Sequence, residues 1–334
     1  MTITGEIRGR RPSGPRFRIT SLEVLCGILV LALIFQSSLV RLLDVRELRT
    51  GSTVFVAICV QALPFLVVGV LISGAIAAFV PPSLLRRLLP SSSALAVPVA
   101  GVAGVALPGC ECASVPVARR LMQQGVAPAV ALTFLLAAPA VNPIVLVATA
   151  VAFNDTPWMV VARFVGSLLT AVVMGWLWAR FGKLSWIASR ALERLPSHEG
   201  TSRWAVFLES ARHDLVDAGG FLVLGGLFAA AFKVLVPVSW MNTLSGQVVL
   251  GVLVMGLLAV VLALCSEADA FVAVSFSSLP LLPRLVFLVV GPAVDVKLIA
   301  MQAGAFGRSF ALRFAPLTFV VAVLCAVVTG VVLL

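Results

Sequence analysis

Charge is scarce in this chain. Only 11% of its 334 residues are charged and 61% are hydrophobic, against about a quarter charged and about 45–50% apolar in soluble domains. That scarcity excludes an ordinary soluble globule. No G-x-x-x-x-G-K-[ST] phosphate loop is present, so the chain has no ATPase of that type. No Cys-x-x-Cys redox motif is present either. The apolar runs do not alternate polar with apolar residues over about ten positions, which excludes a membrane β-barrel. No small-residue cleavage site follows a short apolar stretch, so a removable signal peptide is not expected. There are two histidines; His198 and His213 lie in or beside the one long polar stretch, and neither is expected to bind a ligand. No cofactor is expected.

What is present is a series of apolar segments, at about 20–40, 53–80, 94–122, 127–153, 157–179, 214–237, 246–276, 281–306 and 310–334. Each is long enough to cross a hydrocarbon layer of ~30 Å as a helix. The fold class is therefore all-α, a polytopic helical membrane protein in contact with lipid. All six tryptophans fall at or beyond segment ends, as an interfacial aromatic belt requires. Cys26, Cys59 and Cys325 sit among Val, Leu and Ala and read as small packing residues.

The net charge of +10 is spread over short connecting segments and so speaks of topology, with no nucleic-acid partner implied. Arg8, Arg10, Arg11, Arg16 and Arg18 make residues 1–19 a basic cytoplasmic tail. Residues 20–50 form a first transmembrane helix and loop, 51–180 a first membrane repeat, 181–212 a cytoplasmic linker and 213–334 a second repeat. The halves match at a fixed offset of 153, from Cys112 to Cys265. The same offset pairs Pro139-Ala140-Val141 with Pro292-Ala293-Val294 and Phe153 with Phe306. An offset of 156 pairs Phe65-Leu66-Val67 and Gly69 with Phe221-Leu222-Val223 and Gly225.

Pro108, Gly109, Pro116, Pro139 and Pro143 are expected to interrupt the first half, and Pro280, Pro283, Gly291 and Pro292 the second. If all nine segments crossed, the basic 180–212 stretch would lie outside, against the positive-inside rule. A re-entrant hairpin at 94–122, broken at Pro108-Gly109, puts Arg86, Arg87, Arg119, Arg120 and the linker inside, with the 238–247 loop outside. The second half is then inverted relative to the first. Such repeats are typical of secondary transporters with midplane substrate sites on discontinuous helices.

The chemistry sits at the breaks. Glu111 stands between Cys110 and Cys112 in an apolar run, where a charge costs roughly 2.5–3.5 kcal/mol and so marks function. On a continuous helix residues two apart diverge, but an extended stretch points them to one side. Paired thiolates are soft ligands for Cu(I), Zn or trivalent arsenic. The matching stretch holds Cys265, Glu267 and Asp269. Together these residues are expected to form one midplane site, with Cys110, Cys112 and Cys265 as metal or metalloid ligands and the carboxylates carrying charge or protons. Asn142, aligned with Asp295, is expected either to line the site or to cap exposed backbone. Lys297 would pair with Asp295, or act as counter-charge to Glu267 or Asp269.

These motifs, Pro108-Gly109-Cys110-Glu111-Cys112 with Val115-Pro116 and Arg119-Arg120, Phe134 through Pro139 with Asn142-Pro143, and Cys265 through Phe271 with Gly291-Pro292 and Asp295-Val296-Lys297, resemble the predicted-permease family that includes the organoarsenical exporter ArsP. The resemblance runs over roughly 51–334. It implies a plasma-membrane permease, multi-pass with a cytoplasmic N-terminus, exporting a thiophilic metal, metalloid or organoarsenical. Many relatives carry Cys-Ser-Cys-Gly at the first motif; the glutamate here favours a true metal cation or a different coupling. The resemblance also implies a second small membrane subunit; a homo-oligomer is a further expectation. A scaffold or channel subunit of a permease complex, and a membrane thiol redox enzyme, are the alternatives.

Overall fold

The structure, a computed structural model, describes residues 46–80, 90, 92–106, 111–192, 202–235, 248–277 and 279–334. Pro108, Gly109, Cys110, Arg86, Arg87, His198, the 1–19 tail, the 20–40 segment and the 238–247 loop lie outside the described residues. Everything below belongs to the compact unit Thr50–Leu334.

Among the described residues the regular structure is helical. α1 is Arg46–Phe79, α2 Ser93–Ala103, α3 Glu111–Gln123, α4 Pro128–Val141, α5 Pro143–Ala152 and α6 Trp158–Phe181. A short α7, Ser189–Leu192, precedes α8, Arg203–Leu235. Then come α9, Val248–Leu262; α10, Asp269–Ser275; α11, Leu281–Ala293; α12, Val296–Phe306; and α13, Arg308–Leu333. Six stretches are long and apolar enough to span a membrane: 49–79, 128–152 (α4 with α5), 158–181, 203–231, 281–306 (α11 with α12) and 308–333. Helix α8 begins inside the polar stretch expected to be linker.

The 94–122 and 246–276 segments are each divided into two shorter helices. Gly101 of α2 lies against Thr133 of α4, and Gly104 just after α2 lies against Ala137 and Ala138, so α2 runs parallel to α4. Helix α3 returns antiparallel through the tight 124–127 connection. Helices α2 and α3 thus run antiparallel to each other, both packed on α4. The 246–276 segment does the same. Gly251 meets Pro283 and Gly291 meets Ala259, so α9 runs parallel to α11, and α10 precedes the turn into α11. Its break is residues 263–268, opened by Ala263 at φ 47°. A left-handed alanine costs roughly 1–2 kcal/mol.

Several expected breakers break nothing. α3 continues through Pro116, and Pro139 and Pro292 sit near the C-terminal ends of α4 and α11. Proline lacks the N–H that would tie down an earlier carbonyl, which weakens the end of a helix more cheaply than its middle. The chain leaves the helix at Asn142, held extended before Pro143 (φ −71°, ψ 153°). In the second half it leaves at Val294 and Asp295, both extended.

Shifted by 153 residues, the bounds of α4, α5 and α6 fall close to those of α11, α12 and α13. α6 and α13 pack antiparallel, since Gly166 meets Thr329 while Trp178 stacks edge-on with Phe310 and Phe314. The hairpins reach across: α3 packs on α12, and α10 packs on α5.

Glycine lets α1 seat the first hairpin. A Cβ on Gly69 would lie 2.4 Å from Ala113 Cα, against backbone that cannot yield. Gly69→Val is expected to lower the apparent melting temperature in detergent, an overpacking cost of about 1–3 kcal/mol. Gly220→Ala, with nothing within 4 Å of its added Cβ, is the control and should not. Equal behaviour of the two variants would contradict this packing.

Candidate functional site

The residues singled out from sequence gather in two clusters, one at each hairpin tip. The first surrounds Lys297. Glu111 opens α3, where the helix N-terminus favours an anion. It is fully buried and forms an ion pair with Lys297 Nζ. Asp295 is also fully buried; its Oδ1 caps α12 by accepting from Leu298 N at 2.5 Å, and its Oδ2 lies 3.8 Å from Lys297 Nζ. Residues two apart on a helix would meet poorly. These two meet because Asp295 is extended (φ −142°, ψ 170°) and precedes the helix. Cys112 and Cys265 are both buried and both lie near enough to interact electrostatically with the same ammonium. α8 presses against this point, with Gly225 closest to the Lys297 backbone.

The second cluster surrounds Arg163 of α6, which is 0% exposed. Its Nη1 donates to Thr149 Oγ1 at 2.7 Å. Its Nη2 donates to Asp269 Oδ2 at 2.8 Å and to the Ser266 carbonyl at 3.0 Å. Both Glu267 carboxylate oxygens are buried and lack a hydrogen-bond partner among the described residues, as does Asp269 Oδ1. The Glu267 and Asp269 charges are close enough to repel. The open turn at 263–268 joins the clusters: Cys265 faces Lys297, while the next residue's carbonyl faces Arg163.

The expected single site is therefore divided. Glu111, Cys112, Cys265, Asp295 and Lys297 come together; Glu267 and Asp269 go with Arg163. Lys297 is not the ion-pair partner of Asp269, because Arg163 holds that place. Asn142 caps, donating from Nδ2 to the Ala138 carbonyl at 3.1 Å and accepting from Val145 N at 3.0 Å. Cys110 lies outside the described residues, and among those described no three His, Cys, Asp or Glu side chains converge as a metal site. Sequence reasoning missed Arg163, although a lone cation in the 157–179 apolar run carries the same signal as Glu111.

A third polar group lies further along α3. Arg120 and Asp214 form a buried pair at 3.1 Å, and Ser73 Oγ donates to Asp214 Oδ2 at 2.6 Å. Arg119 meets the half-exposed Asp217 at 3.2 Å.

Six membrane-length helices, two broken hairpins and buried ion pairs at their tips define a polytopic membrane permease. The chain belongs to the predicted permease family, whose model matches residues 47–331. It is 35% identical over 289 residues to the UPF0718 protein YcgR of Bacillus subtilis, covering 82% of this chain and 94% of that protein. It is 31% identical over 284 residues to a Streptococcus mutans protein provisionally named as a subunit of a two-component membrane permease complex, covering 83% of this chain and 94% of that one. No solved structure matches the chain significantly.

Proposed function

We propose that this permease is a secondary transporter that exports a neutral thiophilic species, such as a trivalent organoarsenical, across the plasma membrane. One observation carries the reading: Cys112 and Cys265, one from each hairpin, are buried within electrostatic range of a single buried ammonium that Glu111 and Asp295 engage. Both carboxylates are engaged by Lys297, which leaves soft thiol sulfur rather than carboxylate oxygen to bind the cargo, and that donor suits a neutral arsenic or metal-organic centre. Glu111, read from sequence as favouring a metal cation, is engaged by the lysine.

The antiparallel packing of α6 and α13, and the reciprocal reach of the hairpins, support two inverted repeats rocking around the tips. The positive-inside rule supports a cytoplasmic N-terminus and linker. Glu267 and Asp269 then belong to a coupling half-site rather than to the thiol site. The name of the Streptococcus mutans relative supports a second membrane subunit.

The test is flux in proteoliposomes of the purified chain. Cys112→Ser and Cys265→Ser should each lower transport of a trivalent organoarsenical by about tenfold or more, the effect of losing roughly 1.4 kcal/mol of binding. Unchanged flux in both variants would refute the thiol reading. Flux that appears only after a partner subunit is added would make the chain half of a two-component permease.

A further inference from the structure

Three helices carry one face each from the Lys297 cluster toward the Arg119–Asp217 ion pair. On α3 the positions are Cys112, Val115, Pro116 and Arg119, at the three- and four-residue steps that keep side chains on one face. On α12 they are Lys297, Met301, Gly304 and Ala305. On α8 they are Gly225, which lies on the Lys297 backbone, then Phe221, Ala218, Asp217 and Asp214. A small cavity lies on this seam, and Val115, Pro116, Phe221 and Met301 line it together with Arg119 and Asp217.

We infer that this seam is the substrate's route between the thiol–lysine cluster and one membrane face, and that the Arg119–Asp217 pair is its gate. The inference rests on the reading of that cluster as the substrate site. Burial grades along the seam as a gate requires. Arg120 and Asp214 are buried at the anchored side, with side chains 4% and 6% exposed, while the side chains of Arg119 and Asp217 are 12% and 42% exposed. The buried pair, held also by Ser73 of α1, fixes α3 against α8. The outer pair is the more exposed of the two and is the one that can part more cheaply, since exposed ion pairs contribute little. Arg119 Nε is buried without a hydrogen-bond partner among the described residues, which leaves a donor for a passing polar group. His213 Nδ1 lies 3.9 Å from the same Asp217 carboxylate. Below the pair, Phe221 sits directly over Gly304, where any side chain would collide with the ring; the route is shut at that point by one aromatic side chain.

Water access to the seam tests this in the full-length protein. Ala305→Cys supplies a reporter thiol, labelled with a membrane-impermeant methanethiosulfonate in intact cells and in inside-out vesicles, with modification at 305 quantified by mass spectrometry. Arg119→Gln and Asp217→Asn should each raise the labelling rate about fivefold, the population shift that loss of one partly exposed pair permits. The rise should occur on one membrane face only. The exchanged pair, Arg119→Asp with Asp217→Arg, should return the rate to that of the reporter alone. The gate is overturned if both single variants label at the unaltered rate, or if the exchanged pair labels as fast as they do. This readout needs no transported substrate. Gated labelling without organoarsenical flux would leave the route standing and refute the proposed cargo; cysteine-dependent flux with ungated labelling would do the reverse.

Discussion

Arg163→Met is expected to cost about 3–5 kcal/mol of stability, the effect of stripping a buried carboxylate of the counter-charge that pairs with it. Arg163 is wholly buried, and its guanidinium makes three hydrogen bonds, to Thr149, Ser266 and Asp269. Its loss leaves Asp269, 2% exposed, beside a second carboxylate on Glu267. Arg163→Lys should recover little, because an ammonium does not reproduce the planar fork that serves acceptors on different elements. The double variant Arg163→Met with Asp269→Leu should recover part of the stability, since it removes both members of the ion pair and leaves Glu267 as the remaining buried carboxylate. Apparent melting temperature in detergent, followed by monodispersity on size exclusion, measures all three. If Arg163→Met melts like the parent protein, the cluster is not what holds the second hairpin.

Lys297→Met is the second large effect, and it separates folding from transport. Lys297 faces Glu111 and Asp295, both fully buried, so its removal leaves two uncompensated carboxylates and should again cost about 3–5 kcal/mol. Adding Glu111→Gln removes one of them, and Asp295 keeps its capping bond to Leu298 N. That double variant should recover part of the lost melting temperature, Asp295 remaining without its counter-charge. It should not return to parental flux, because the ammonium that gathers Cys112 and Cys265 is gone. Parental flux from the double variant would remove Lys297 from the transport site and leave it a structural residue.

Parts of this architecture were legible in the sequence for plain reasons. The spans follow from long apolar runs, and the division of the 94–122 segment into two helices was signalled by its helix-breaking Pro108-Gly109. The second hairpin was not legible, because no proline precedes its opening; the turn at 263–268 depends on a left-handed Ala263, a conformation no composition signals. Glu111, Cys112, Cys265, Asp295 and Lys297 were each legible as costly in an apolar run, but their grouping was not: the sequence joined Glu111 and the thiols to Glu267 and Asp269, and nothing in it paired Glu111 with Lys297. Arg163 was missed. Its counterpart at that offset is Pro316, just as that of Lys297 is Ile144, so the two cations do not occupy equivalent positions. Repeat matching finds what both halves kept and passes over what each acquired alone.

The two cations also differ as mechanical parts. A guanidinium is flat and rigid, and Arg163 binds three acceptors drawn from α5, the 263–268 turn and α10. Small displacements break such a joint rather than stretch it. An ammonium on four methylenes can follow a moving carboxylate and exchange one oxygen for another. The tip of the second hairpin is thus bolted to its neighbours, while the first is held by a tether with slack.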